Sequence, residues 1–198
     1  ELSKIRKEKS KNLEKEIKSE IQSLNIINGD FKVLFKNKNK IDSNGIDDID
    51  FLIKTNKGED LKSLSKTASG GEVSRIVLSF KKIFADYDKI DTMIFDEIDQ
   101  GISGRTAQIV GEKILDLSKE RQILAISHLP QIASLSTNHI LIEKFDQKDL
   151  TISKSTNIKG NDRVKEIARL LAGVDITDKT MESAKEMIEK AEELRKGN

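Results

Sequence analysis

Cysteine and tryptophan are absent from this 198-residue chain, proline occurs once, and aromatic residues make up only 4% of it. The lack of cysteine excludes disulfides and thiolate metal sites, and it fits a protein of the cytoplasm. No apolar run approaches the length of a membrane span and no signal peptide is visible, so we expect no membrane partner. The net charge of +1 does not by itself predict a nucleic-acid partner, but it does not exclude a local basic patch.

Charged residues are abundant, at 35% of the chain against 36% hydrophobic residues. A charged share of this size predicts that part of the chain forms a solvated helix. The length is enough for one domain with a hydrophobic core, and for no more than two. The chain starts at Glu1 rather than Met and enters a helical pattern without a cap, so we expect a fragment of a longer protein.

Residues 1 to about 24 carry a narrow apolar stripe between lysines and glutamates. Its members recur at helical spacing: Leu13, Ile17, Ile21 and Leu24. This pattern suits the end of a coiled coil or a long exposed helix, and an ordinary amphipathic surface helix explains it equally well. The same segment holds a basic cluster that is either a solvated face or a contact for DNA phosphates: Lys4, Arg6, Lys7, Lys9 and Lys11.

Strand and helix patterns alternate along the rest of the chain and predict an α/β fold. Strands are predicted at 31–35, 49–55, 92–99, 123–127, 139–145 and 150–155. Helices are predicted from 69 to about 86, from Ser103 to about 119, from Asp162 to 171 with Gly173 closing it, and from Thr177 to about 195. The early and late strand pairs look antiparallel, whereas the strand–helix–strand order in the middle implies a parallel crossover. We therefore expect a mixed sheet with flanking helices.

Two adjacent acids, Asp96 and Glu97, end the apolar strand TMIF, which we interpret as a buried strand of a parallel sheet. The carboxyl edge of such a sheet is where ligands bind. There the first acid can hold Mg²⁺, and the second can orient or deprotonate an attacking water. Acids that merely cap the following turn and face solvent remain an alternative. Asp99 follows in a loop with two glycines, which predicts either contact with a partner or a flexible connection.

Histidine is rare in this sequence, and one of its two histidines, His128, follows the next predicted strand. Adjacent parallel strands would place His128 on the same sheet edge as Asp96 and Glu97. A histidine there can contact a phosphate or the attacking water, although a lone histidine is more often structural. His139, which opens a predicted strand, is interpreted as structural.

The stretch SGGE, residues Ser69, Gly70, Gly71 and Glu72, precedes an apolar helix pattern. A helix N-terminus offers free N–H groups and the positive end of a dipole, which together bind anions. The glycines let the backbone approach a phosphate closely, and Ser69 adds a hydroxyl donor. Taken alone, the stretch is better explained as a Ser or Thr N-cap with glycines in a turn.

The order of these motifs resembles that of the ABC-type ATPases: signature motif, Walker B, D-loop and switch histidine. Within that class, the stretches TASGGEVSRIVLSFKKI, TMIFDEIDQGISGRTAQIVGEKI and ILAISHLPQIASLSTNHILIEK resemble the RecN family, bacterial DNA-repair ATPases related to SMC proteins. Residues 45–72 and 161–173 resemble the same family, so the likeness covers nearly the whole chain after the first helix. Three positions depart from the familiar pattern: Gln100 and Ser127 stand where threonine is more usual, and Val73 where leucine is.

No G-x-x-x-x-G-K-[ST] loop occurs in the sequence, although that loop cradles the phosphates in nucleotide-binding proteins of this kind. The resemblance implies that this Walker A loop lies in an N-terminal lobe, beyond a long coiled coil. It further implies that residues 1–24 are the end of the returning coiled-coil helix. Residues 25–198 would then be the C-terminal lobe of an ABC/SMC-type ATPase head that lacks Walker A.

The same resemblance implies a role for each motif residue. Asp96 would help to hold Mg²⁺, Glu97 would be the general base, and His128 would sense the γ-phosphate of ATP. The signature residues would bind the ATP of a second head in trans, with Asp99 at the interface between heads: Ser69, Gly70, Gly71 and Glu72. The implied partners are the protein's own N-terminal lobe, a second head and DNA, and the implied location is the nucleoid in the cytoplasm.

Two other classes of function compete with this interpretation. A non-enzymatic interaction module could keep the fold without the chemistry, but every site acid and the signature are present, which argues against it. Another ABC-type ATPase, such as an SMC protein or a transporter domain, is the other alternative. The coiled-coil pattern disfavours a transporter, and the stretches GISGR and SHLPQIA favour RecN.

Overall fold

The computed structural model describes residues 1–66, 70–84, 90–147 and 150–197. The helices are α1 (Leu2–Ser23), α2 (Gly70–Ile83), α3 (Gly104–Leu117), α4 (Pro130–Ala133), α5 (Gly160–Ala172) and α6 (Asp178–Lys196), with a short 3-10 helix at Leu64–Lys66. The strands are β1 (Asp30–Asp42), β2 (Gly45–Lys54), β3 (Lys62–Ser63), β4 (Thr92–Phe95), β5 (Gln122–Ala125), β6 (His139–Gln147) and β7 (Leu150–Ile158). This composition confirms the predicted α/β class. Among the described helices, none is long and apolar enough to span a bilayer.

The chain divides into two compact units. The first unit comprises Glu1–Gly101 together with Glu120–Ile126, and the second comprises Ile102–Lys119 together with Ser127–Asn198. The first unit therefore contains α1, the β1–β2 hairpin, α2 and the β4–β5 pair. The second contains α3, α4, the β6–β7 hairpin, α5 and α6.

The strand pairings follow the predicted directions. In the first unit β1 and β2 are antiparallel, β3 joins the other edge of β2, and β4 pairs with β5 in parallel. In the second unit β6 and β7 form an antiparallel hairpin. Among the described residues these strands form three small sheets, so the parallel and antiparallel pairs that were expected in one mixed sheet are separate.

The core of the first unit joins α1, the hairpin and α2. Ile17 and Ile21 of α1 pack with Phe31 of β1, Ile53 of β2 and Ile76 of α2, and all five are buried. Burial of a side chain of this size stabilises the fold by about 1.5–3 kcal/mol. The stripe seen in the sequence thus faces this core, as in an amphipathic surface helix. The domain boundary at residue 24 stays a prediction, because the unit includes α1 and the hairpin together.

The first turns of α1 are attached to β2 through Asp47. Ser3 Oγ donates to Asp47 at 2.7 Å, and the Arg6 guanidinium lies 3.2 Å from the same carboxylate, whose side chain is only 1% exposed. The hydrogen bond from Ser3 and then the charge and hydrogen bond of Arg6 lower the pKa of Asp47. Lys7 lies 5.8 Å above the ring of Phe35. Arg6 and Lys7, two members of the basic cluster, therefore contribute to the fold.

Helix ends in the second unit test the predicted caps. Thr177 caps α6 through a reciprocal pair of bonds with Thr180, as predicted. Gly173 ends α5 with a φ of 75°, also as predicted. The prediction that Asp162 caps α5 is wrong, because the positive φ of Gly160 lets the chain enter the helix earlier. Asp162 lies instead in the first turn, where its negative charge complements the helix dipole.

Candidate functional site

The two acids follow β4 at the carboxyl end of the parallel pair. The Phe95 carbonyl accepts a hydrogen bond of 2.9 Å from the N–H of Ile126, so β4 and β5 stay paired up to the residue before Asp96. Asp96 and Glu97 are exposed, whereas Asp99 is buried with 3% exposure. The two carboxylates therefore lie at a sheet edge of the kind where α/β proteins bind ligands.

Glu97 has a left-handed backbone, with a φ of 55°. The Gln100 N–H donates to the Glu97 carbonyl at 3.1 Å, which closes a tight turn directly after β4. For a residue with a side chain this conformation costs about 1–2 kcal/mol. Such strain concentrates at functional sites, where the surrounding structure holds a side chain in place. The sequence pattern gave no signal of it.

The β4–β5 pair is covered on only one of its faces. Met93 and Phe95 are buried, but Ile94 is 68% exposed and Leu124 on β5 is 42% exposed. The expectation of a buried strand is therefore wrong for the face that carries Ile94. Parallel sheets normally have both faces covered, so the exposure of this apolar face is unusual for a parallel strand pair.

The signature glycines begin α2, and the chain fold brings them to the loop after β4. The Gly71 N–H donates to Oε1 of Gln100 at 3.0 Å. A Cβ on Gly71 would lie 2.5 Å from the Gln100 carbonyl oxygen, so this close approach requires glycine. Glu72 lies in the first turn, where its charge complements the helix dipole. Ser69 and its predicted hydroxyl donor lie outside the described residues.

Two further contacts join α2 to the same loop. Ser74 Oγ donates to the Asp96 carbonyl at 3.2 Å, and the Arg75 guanidinium donates to the Gln100 carbonyl at 3.0 Å. Arg75 is only 6% exposed, and burial lowers its pKa while the charge of Glu72 opposes that shift. The sequence interpretation did not include Ser74 or Arg75. Ser74 and Arg75 follow Gly71 by three and four residues, which places all three on one helix face. This spacing is the sequence feature from which their position beside the site could have been predicted.

His128 belongs to the second unit and is exposed. The N–H of Leu129 donates to Ser127 Oγ at 3.1 Å, so the side chain before His128 closes the turn that leads into α4. Because the acids lie in the first unit, the meeting of His128 with Asp96 and Glu97 stays a prediction.

The donor chemistry at Asp96 fits Mg²⁺. Hard carboxylate oxygens are ligands that Mg²⁺ prefers, and the ion is commonly held by one or two carboxylates together with substrate phosphates. In the described part of the chain there is no group of three histidine or acidic side chains placed to hold a metal. The carboxylate of Asp96 therefore fits a magnesium ion that phosphate oxygens also bind.

Structural comparison identifies the class of this fold. The Smc head domain with a coiled coil and joint from Pyrococcus yayanosii superposes with a TM-score of 0.57 at 17% identity, covering 95% of this chain and 30% of that one. An SMC ATPase chain, solved in work on ATP-driven dimerization and DNA stimulated activation, gives a TM-score of 0.50 at 17% identity over 87% of this chain and 98% of that one. The chain has the fold of an SMC-type head.

Sequence comparison gives the family. The chain is 39% identical over 198 residues to DNA repair protein RecN of Halalkalibacterium halodurans, and 40% identical over 209 aligned residues to that of Bacillus subtilis, with 98% of this chain covered in each case. The chain therefore belongs to the RecN family. It spans about a third of the length of these relatives, 35% and 36%. A scan against models of protein families finds no match.

Proposed function

We propose that this chain is the C-terminal half of an ATPase head of a RecN-family protein that acts in the repair of DNA double-strand breaks. The observation that supports this most directly is the contact of the signature turn with the loop after β4, through Gly71 and Gln100. Two motifs that lie apart in the sequence, SGGE and DEID, are thereby joined within one compact unit. ABC-type chemistry needs both motifs. The signature SGGE contacts the phosphates of the nucleotide on a facing head, and the acids of DEID act on the nucleotide bound to their own head.

The proposed roles follow the chemistry of each group. Asp96 helps to bind Mg²⁺, which neutralises charge on the phosphates of ATP when it is bound. Glu97 is the general base that orients and deprotonates the attacking water. Gly71 and its neighbours in the signature, Ser69, Gly70 and Glu72, bind ATP held by a second head. His128 contacts the γ-phosphate, and Asp99 lies near the interface of the two heads.

The exposed face of the β4–β5 pair supports a second lobe as the partner. Alongside it, a groove of about 320 Å³ runs between α2 and β4 and is lined by apolar residues such as Val77 and Ile94. We propose that the protein's own N-terminal lobe, which carries Walker A, covers this face and completes the head. ATP binding then joins two heads, hydrolysis releases them, and this cycle controls how the protein holds DNA.

The decisive experiment measures ATPase activity on this chain, on the N-terminal lobe and on their mixture. We expect negligible turnover from either part and magnesium-dependent turnover from the mixture, because neither part holds a full set of phosphate ligands. DNA binding by the same three samples shows which lobe carries that contact. Robust hydrolysis by the isolated chain contradicts the division of the site between two lobes.

A further inference from the structure

The Gln100 side chain accepts a hydrogen bond from the Gly71 N–H, a donor that the proposed function assigns to a phosphate. Gly71 is the second residue of α2, and the first N–H groups of a helix have no acceptor within the helix. These are the donors that a helix N-terminus offers to an anion. Here the Gly71 N–H is already satisfied by the neutral side-chain oxygen of Gln100, at 3.0 Å.

The backbone of Gln100 is held firmly while its side chain lies at the surface. The Arg75 guanidinium donates to the Gln100 carbonyl at 3.0 Å, and the lack of room for a Cβ on Gly71 shows how closely the two backbones meet. Gln100 itself is exposed. Its side chain can therefore rotate into solvent and release the Gly71 N–H without any opening of the core.

We propose that the Gln100 side chain competes with phosphate for the signature turn. This side chain must rotate away before the Gly71 N–H binds a phosphate of the facing head. This inference rests on the proposed function, because it assumes that the turn meets a nucleotide in trans. Gln100 then sets the nucleotide concentration at which two heads join.

The test compares nucleotide-dependent dimerisation of the full-length protein and its variants by analytical ultracentrifugation, with magnesium and a non-hydrolysable ATP analogue. Gln100→Met keeps the length of the side chain and removes the acceptor, so the midpoint concentration falls by about two- to tenfold, the effect of one hydrogen bond. Gln100→Glu raises the midpoint, because a carboxylate accepts more strongly and repels phosphate. Gln22→Met is the matched control, since Gln22 donates to the Gly29 carbonyl elsewhere in the same unit, and its midpoint stays unchanged.

A second measurement examines the hydrogen bond between Gly71 and Gln100 in the absence of nucleotide. Amide hydrogen exchange of Gly71 becomes several-fold faster in Gln100→Met than in the parent protein, and equal exchange rates overturn the proposal whatever the dimerisation data show. If the parent dimerises but Gln100→Met has an equal or higher midpoint nucleotide concentration, the proposal that Gln100 competes with phosphate is wrong, and the proposed function stands. If the parent fails to dimerise at any nucleotide concentration, the proposed function fails and the competition fails with it.

Discussion

At the scale of single residues, Glu97 combines an exposed carboxylate with a backbone conformation that its residue type disfavours. Its φ of 55° occurs at the first residue of the turn that the Gln100 N–H closes, and the Gln100 side chain of the same turn reaches the signature glycine. Asp96 directly follows Phe95, the last paired residue of β4. The turn therefore begins at the second of the two adjacent acids that the proposed function places at the nucleotide.

Replacement of Glu97 by glutamine tests its assignment as general base. Glu97→Gln keeps the size and the backbone preference of the side chain and removes only its basicity, so we expect ATP turnover of the full-length protein to fall by about 10²- to 10⁴-fold. ATP-joined dimers then accumulate and are measured by sedimentation. Glu8→Gln, an exposed change on α1, is the control and leaves turnover unaltered. Normal turnover by Glu97→Gln would remove Glu97 from this role.

The sequence predicted the positions of the acids but not their surroundings. An apolar run followed by two acids marks the end of a strand, so Asp96 and Glu97 could be located from local pattern alone. The contact of Gly71 with Gln100 joins residues 29 positions apart and depends on how α2 packs beside β4. No local pattern encodes such a contact. For this reason Gln100 was recognised only as an unusual residue, and its hydrogen bond was missed.

At the scale of secondary-structure elements, two arginines connect the last helices to the segment after α4. The Arg163 guanidinium, on α5, donates to the carbonyls of Ser134 and Ser136 at 2.8 and 2.7 Å, and that of Arg195, on α6, donates to Ser136 at 2.8 Å. Positive charge at the carbonyl end of a helix is favourable. The α5–α6 pair thus holds the end of the short helix that follows His128. His139, at the start of β6, feels the charge of Arg163.

The environment of His139 predicts how the stability of the second unit depends on pH. Burial first, and then the charge of Arg163, lower the pKa of His139 below its usual 6.5, and the nearby Glu166 opposes this only in part. The unfolded chain therefore takes up the proton more readily, so the free energy of unfolding decreases as the pH falls below about 6.5. Urea unfolding of the chain at pH 7.5 and 5.5, followed by a probe in the second unit, measures this loss.

His139→Asn should remove most of that pH dependence, because asparagine does not titrate. The carboxylates with lowered pKa values, such as Asp30 and Asp47, stay ionised throughout this pH range and do not contribute. His128→Asn is a matched control, since it removes the other histidine and leaves Arg163 and its neighbours in place. Identical pH dependence in the parent and His139→Asn contradicts the assignment.

Element lengths show where local pattern stops being informative. The apolar run 31–35 was predicted as a strand, but β1 continues through polar residues to Asp42. Lys36 and Asn37 pair with Asp48 and Asp47 of β2, where the opposite charges of Lys36 and Asp48 stabilise the pair, and the register shifts before Asp42 pairs with Gly45. The helices with clear 3.6-residue periodicity were located closely, whereas the polar half of the hairpin could be recognised only with its partner strand present.

At the scale of the whole molecule, the main unexplained feature is the apolar face of the β4–β5 pair. Ile94 is 68% exposed, and Ile126, just beyond the end of β5, is 53% exposed. Leu2 and Ile5 at the start of α1 are also half exposed, as residues facing a partner helix of a coiled coil would be. The chain spans about a third of its curated relatives. Under the proposed function, the N-terminal lobe would cover the first surface and the partner helix of the coiled coil the second.

A charge placed on the β4–β5 face separates this explanation from an ordinary exposed surface. Ile94→Lys changes a side chain that is already in water, so the folding of the isolated chain, measured by circular dichroism, stays as in the parent. Binding of the separately produced N-terminal lobe, measured by calorimetry, weakens by at least about tenfold, because the complex buries an unpaired charge. Val174→Lys, at a position that is 97% exposed, is the control and binds as the parent does. Equal affinity for Ile94→Lys and Val174→Lys would show that the second lobe packs elsewhere, and the exposed parallel sheet would then need a different partner.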